Sequence, residues 1–152
     1  VAIEITFFLA PDDDTAAATR RTGPGRAFTS LDCRDFCPDD AVVEWEACFD
    51  APSEDLPALD RLHAREWPRY VAPIVNDGTG VFAVPEKLTR TLAAAGPDEL
   101  RACAARWAER LRITDGDDMT DDDPPTVLEG VARLARTASD SGGALRLYCW
   151  HY

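Results

Sequence analysis

A chain of 152 residues is one domain's worth, and a domain of that size buries roughly 68–70% of the surface its unfolded chain exposes, so it folds without a metal or disulfide staple. With 45% apolar and 29% charged residues it is neither disordered throughout nor a multi-span membrane protein. The 28 acids against 16 bases leave a formal net charge of -12, which repels nucleic acid and anionic membrane and sets both aside as partners.

Within each charge class the usage is skewed. Lys87 is the single lysine against fifteen arginines, aspartate outnumbers glutamate by nineteen to nine, and there are 24 alanines. GC-rich coding accounts for this better than salt adaptation, which five cysteines and four tryptophans do not suggest.

Residues 1–10 alternate, with Ile3, Ile5, Phe7 and Leu9 on one side and Glu4, Thr6 and Phe8 on the other. That period of two predicts a strand with one buried face. The segment has no basic residue and does not read as a signal peptide. No apolar run approaches the roughly 18 residues of a membrane span. The five cysteines, odd in number and irregularly spaced, therefore read as reduced thiols in a cytoplasmic protein.

Asp12, Asp13 and Asp14 stop the strand and stand at the favourable end of a short helical turn over 15–20. Residues 21–41 are irregular around Gly23-Pro24-Gly25, with Arg20, Arg21, Arg26 and Arg34 forming a basic patch and Phe28 and Leu31 pinning the segment to the body. Residues 42–49 alternate again and predict a second strand. Val43, Trp45, Ala47 and Phe49 share one face; Glu44 and Glu46 share the other, facing solvent or a basic partner. A helix is expected over 58–70, ended early by Pro68. Gly80–Val84 reads as a short strand or a buried entry to the next helix.

Helices follow over 85–95, 97–111 and 126–140. Pro85 and Pro97 suit first-turn positions, and Leu100, Cys103, Ala104, Trp107 and Leu111 form one stripe. Thr126 and Glu129 have capping-box spacing, and Gly142-Gly143 closes the last helix. Between the second and third of these helices, residues 113–125 hold six aspartates and no base, half the net charge, and read as a surface loop. The chain closes on a strand over 144–150 with apolar groups on both faces, as in a strand covered on both sides or one lying at a partner interface, a homodimer included. The order predicts a single α+β domain over 1–152: a small, mostly antiparallel sheet with helices packed on one face.

Chemistry is thinly signalled. No phosphate-binding glycine motif and no nucleophile elbow occurs. Cys149 and His151 stand two apart on a strand with β-carbons roughly 6–7 Å apart, loose for a catalytic pair, and a buried thiol beside a surface imidazole is the simpler account. Cys33-x-x-x-Cys37, with Cys48 and a histidine, lacks the tight pairing of zinc sites. A calcium loop started at Asp115 fails at Met119, Thr120 and Thr126. Glu44 with Glu46, and His63 with Glu66, are carboxylate or mixed pairs that would split their pKa values only if buried. No cofactor is expected.

Trp45 and Trp107 fall on clean apolar faces and read as core, whereas Trp67 and Trp150 read as surface platforms. The leading functional expectation is a non-enzymatic interaction module, of the inhibitor or immunity type, that binds a basic protein through Glu44, Glu46, Trp67, Asp117, Asp118, Asp121, Asp122, Asp123 and Trp150. The alternatives are a small hydrolase or transferase using a cysteine or a carboxylate pair, and an acidic globular protein with no dedicated charge-based site.

Overall fold

The computed structural model describes residues 3–51, 61–62, 64–114 and 123–152. Period two at the chain ends gives two strands, β1 (Glu4–Ala10) and β5 (Arg146–His151), which pair antiparallel in the middle of the sheet with Ile5 opposite His151 and Ala10 opposite Arg146. Outside them lie β2 (Ser30–Arg34), β3 (Tyr70–Ala72) and β4 (Gly80–Ala83), in the order β2-β1-β5-β4-β3, every neighbouring pair antiparallel. With five helices among the described residues and this sheet, the fold is α+β.

The pleat divides β1 between two cores. Ile5, Phe7 and Leu9 join Phe82, Leu147 and Cys149 beneath the helices α2 (Pro38–Asp50), α3 (Glu86–Ala94), α4 (Pro97–Thr114) and α5 (Asp123–Asp140). On the other side, Phe8, Ala10, Val81 and Tyr148 meet the short helix α1 (Asp13–Ala17) and Phe28. Asp12 caps α1, its carboxylate accepting from the Thr15 amide at 2.8 Å. The expected helices over 85–95 and 97–111 and the strands at both chain ends are present. Phe28 and Leu31 do pin the irregular segment, one to each core.

Residues 42–49 are helix, not strand. Pro38 stands in the first turn beside Asp39 and Asp40, an arrangement that favours helix initiation, and Val42, Trp45 and Cys48 face the core along one stripe. The run is short enough to satisfy both periods; packing against α4, with Trp45 edge-on to Trp107 at 5.1 Å, selects the helical one. Of the expected helix over 58–70, residues 58–60 and His63 lie outside the described residues. Residues 66–69 have no regular structure and Tyr70 opens β3. The last helix begins at Asp123 rather than after a Thr126 cap, because Pro124 and Pro125 occupy first-turn positions where a missing N–H costs nothing. Its end is as expected, with Gly142 and Gly143 at φ of 64° and 94° turning the chain into β5.

Among the described residues no helix is long and apolar enough to cross a membrane.

Candidate functional site

The structure separates the residues expected to share a surface. Glu44 is buried, and one residue pair of spacing two on a helix points to different sides, so Glu44 and Glu46 do not form a common acidic face. Asp117, Asp118, Asp121 and Asp122 lie outside the described residues, while Asp123 is the half-buried first residue of α5. Trp150 is half-buried against Gly23, its indole N–H donating to the Arg20 carbonyl at 3.0 Å. Trp45 and Trp107 are fully buried, as their apolar faces predict.

Two of the expected residues do meet. Glu46, on α2, and Trp67, in the irregular run before β3, line a groove of about 820 Å³ that also takes in Glu66, the start of α3 and the turn from α5 into β5. Trp67 is 36% exposed. Pro68 positions it, since the residue before a proline is held extended and the run cannot continue as helix.

The charges in and beside this groove are unevenly paired. At one end Asp13 accepts from the Tyr148 hydroxyl at 2.7 Å and from Arg69 at 2.8 Å, and these bonds hold its carboxyl below the usual range. Alongside, Lys87 donates to Asp50 at 3.0 Å, and Arg65 binds the same carboxylate. Glu46 is left with a 3.8 Å approach from that committed Arg65. Burial pushes its carboxyl up against the pull of Arg65 and Lys87, and the nearby charges of Asp50 and Glu66 add to the rise. Trp67 thus lines the groove together with two carboxylates, half-buried Glu46 and exposed Glu66, and the cations Arg69, Lys87, Arg90 and Arg146 stand along the rest of its wall.

A second polar cluster lies where β5 ends. Asp39, in the first turn of α2, accepts from the Tyr70 hydroxyl at 2.9 Å, and the same oxygen lies 3.0 Å from His151 Nε2. A carboxylate only accepts, so the phenol donates to Asp39 and accepts from the Nε2–H of a neutral imidazole. Gly80 makes room for this: a β-carbon there would stand 3.0 Å from the Tyr70 ring and 3.4 Å from Nε2. His151 is therefore a buried, bonded group rather than a terminal surface imidazole. Sequence reasoning missed Tyr70 and Asp39 because no local pattern joins α2, β3 and β5; a glycine inside an apolar strand run was the available signal.

The neighbouring Cys149 is fully buried. Burial, with the Cys33 and Asp39 charges adding, pushes its thiol well above the ordinary range, and its Sγ points to the Trp150 carbonyl at 3.7 Å. It does not pair with His151 as nucleophile and base. Cys48 and Cys103 are buried, and Cys33, pushed up to about 12 by burial and by Asp32, is no more reactive. Among the described residues no group of three or more His, Cys, Asp or Glu is placed to hold a metal ion.

Burial lowers the His151 pKa from its ordinary 6.5, outweighing the Asp39 charge and the Gly78 carbonyl, which favour the imidazolium. Between the folded value and 6.5 the unfolded chain binds more protons, so stability rises with pH through that window and is lost as the pH falls through it. NMR titration of His151 should place its midpoint below 6.5, and urea unfolding should weaken between pH 7 and that midpoint in the native chain but not in His151→Phe. A midpoint above 6.5 would reverse the sign.

No protein family, no curated protein and no solved structure matches the chain. The functional reading therefore rests on the groove lined by Glu46, Glu66 and Trp67.

Proposed function

We propose that this protein is an interaction module that grips a basic segment of a protein partner in the groove beside Trp67. The observation that carries the reading is the half-buried Glu46 carboxylate, held above its usual range mainly by burial, which shares with Glu66 and a part-exposed indole a groove large enough for several side chains. An arginine or lysine entering there gains two carboxylate contacts and an aromatic face, and it removes the repulsion between the two glutamates. The net charge of -12 steers a cationic partner toward the molecule and raises the association rate more than the final affinity. This is how an inhibitor or immunity-type protein would use the acidity of its surface.

A hexa-arginine peptide is the direct probe, followed by calorimetry and tryptophan fluorescence at 0.15 M NaCl. Binding is expected to quench Trp67, to weaken about tenfold in Glu46→Gln/Glu66→Gln, and to strengthen as pH rises through the raised Glu46 value, because the bound state needs that carboxylate charged. Changing Asp117, Asp118, Asp121, Asp122 and Asp123 to Asn should slow association and leave dissociation unchanged. No binding, or binding indifferent to the glutamate pair, would remove the groove from the functional account.

A further inference from the structure

The C-terminal strand, whose two apolar faces suit a partner interface, lies inside the sheet with a neighbour on each side. The sheet's edges are β3 and β2. β3 is three residues long, shifts register against β4 and runs into Pro73, so it is a blunted edge. β2 is five residues long and regular, with Glu4 opposite Arg34 and Phe8 opposite Ser30.

The ladder decides which backbone groups of β2 remain. The Asp35 amide donates to Ile3 and the Leu9 amide donates to Thr29, so residues 29, 31, 33 and 35 are the ones bonded to β1. The N–H and C=O groups of Ser30, Asp32 and Arg34 therefore turn outward, and no strand pairs with them among the described residues. All three residues are exposed. A row of this kind accepts another strand.

We propose that the occupant is β2 of a second copy, paired antiparallel about a two-fold axis through Cys33. Charge complementarity selects both the partner and the register. With the axis at Cys33, Asp32 of each copy lies directly opposite Arg34 of the other, and each such pair exchanges both of its outward backbone bonds. An axis at Asp32 opposes that aspartate to itself, and an axis at Arg34 opposes that arginine to itself. An axis at Leu31 sets Ser30 against Asp32 with no charge pairing. The sequence Asp32-Cys33-Arg34 is thus complementary to its own antiparallel copy, and it is the isologous arrangement that closes as a dimer rather than growing into a fibre.

A five-residue edge falls short of the roughly 1,200–2,000 Å² of a standard interface, so the dimer is of the weak, concentration-dependent kind. Sedimentation equilibrium up to about 1 mM in 0.15 M NaCl, where the Debye length is about 8 Å, keeps the repulsion between acidic copies screened. The native chain is expected to dimerise. Arg34→Asp and Asp32→Arg each oppose like charges twice across the axis and should each weaken the dimer about tenfold or more, while Asp32→Arg/Arg34→Asp, which restores opposite signs, should recover it. Circular dichroism of all three variants is the check on folding, since Asp32 also accepts from the Thr6 hydroxyl at 2.9 Å. Amide exchange of Asp32 and Arg34 should slow with concentration in the native chain only if their N–H groups are taken up at the interface. A monomer at 1 mM, a double variant no better than the single ones, or outward amides that exchange equally fast at every concentration would each overturn the proposal.

Discussion

Trp107→Ala is expected to cost about 3–5 kcal/mol of folding stability, the range for removing a large buried aromatic. Trp107 is fully buried on α4 and is met edge-on by Trp45 of α2 and by Phe36, each at 5.1 Å between ring centroids, while Trp45 in turn meets Phe7 of β1 at 5.9 Å. These four rings join two helices to the centre of the sheet, so no single neighbour can collapse into the space left behind. A domain of this kind is held by about 5–15 kcal/mol in total, and the variant should therefore lose about a fifth or more of its margin. Urea unfolding followed by far-ultraviolet circular dichroism gives the number, and a loss under about 1 kcal/mol would show that the aromatic contacts are not what joins the layers.

Tyr70→Phe is expected to cost about 1–3 kcal/mol although it removes one oxygen and no apolar contact. That oxygen serves Asp39 at 2.9 Å and His151 at 3.0 Å, so its loss leaves a half-buried carboxylate and a buried imidazole each short of a partner. The ring itself, 5.4 Å from Phe82, stays in place. Tyr152→Phe is the matched control: Tyr152 is 55% exposed, and its change should fall within about 0.5 kcal/mol. Equal losses from the two variants would mean that the hydroxyl of Tyr70 contributes nothing beyond a surface phenol.

Both effects arise from contacts between elements distant in the chain, and the parts of the molecule legible in advance were those with local causes. The stripe Leu100, Cys103, Ala104, Trp107 and Leu111 has the helical period over three turns, and no strand satisfies it; every one of these residues is buried. Residues 3–9 alternate cleanly and form the expected strand, but the face expected to be open is covered as well, Phe8 lying wholly buried with Phe28 and Ala16 of α1. The run from Val42 to Phe49 satisfies both periods at once, and what resolved it was the proline and aspartates of its first turn together with Trp107 waiting on α4. Ser30–Arg34 carries few apolar groups and becomes a strand because β1 lies beside it, which is a tertiary cause with little trace in its own composition.

The candidate site divides in the same way. Trp67 as a surface aromatic, and Trp45 and Trp107 as core, followed from hydropathy and the nearby proline. Glu46 does not share a strand face with Glu44: the helix buries Glu44 and leaves Glu46 half-buried on the groove that Trp67 also lines. The class of fold, the central strands, the long helices and the strongly negative field are all legible along the chain, because each depends on periodicity or on summed charge. The tertiary structure alone decided that Asp39, Tyr70 and His151 meet, that Glu46 and Glu66 share a groove with Trp67, and that β2 rather than the C-terminal strand is the open edge. Side-chain meetings of that kind depend on the order of strands and the seating of helices, and no spacing along the chain encodes either.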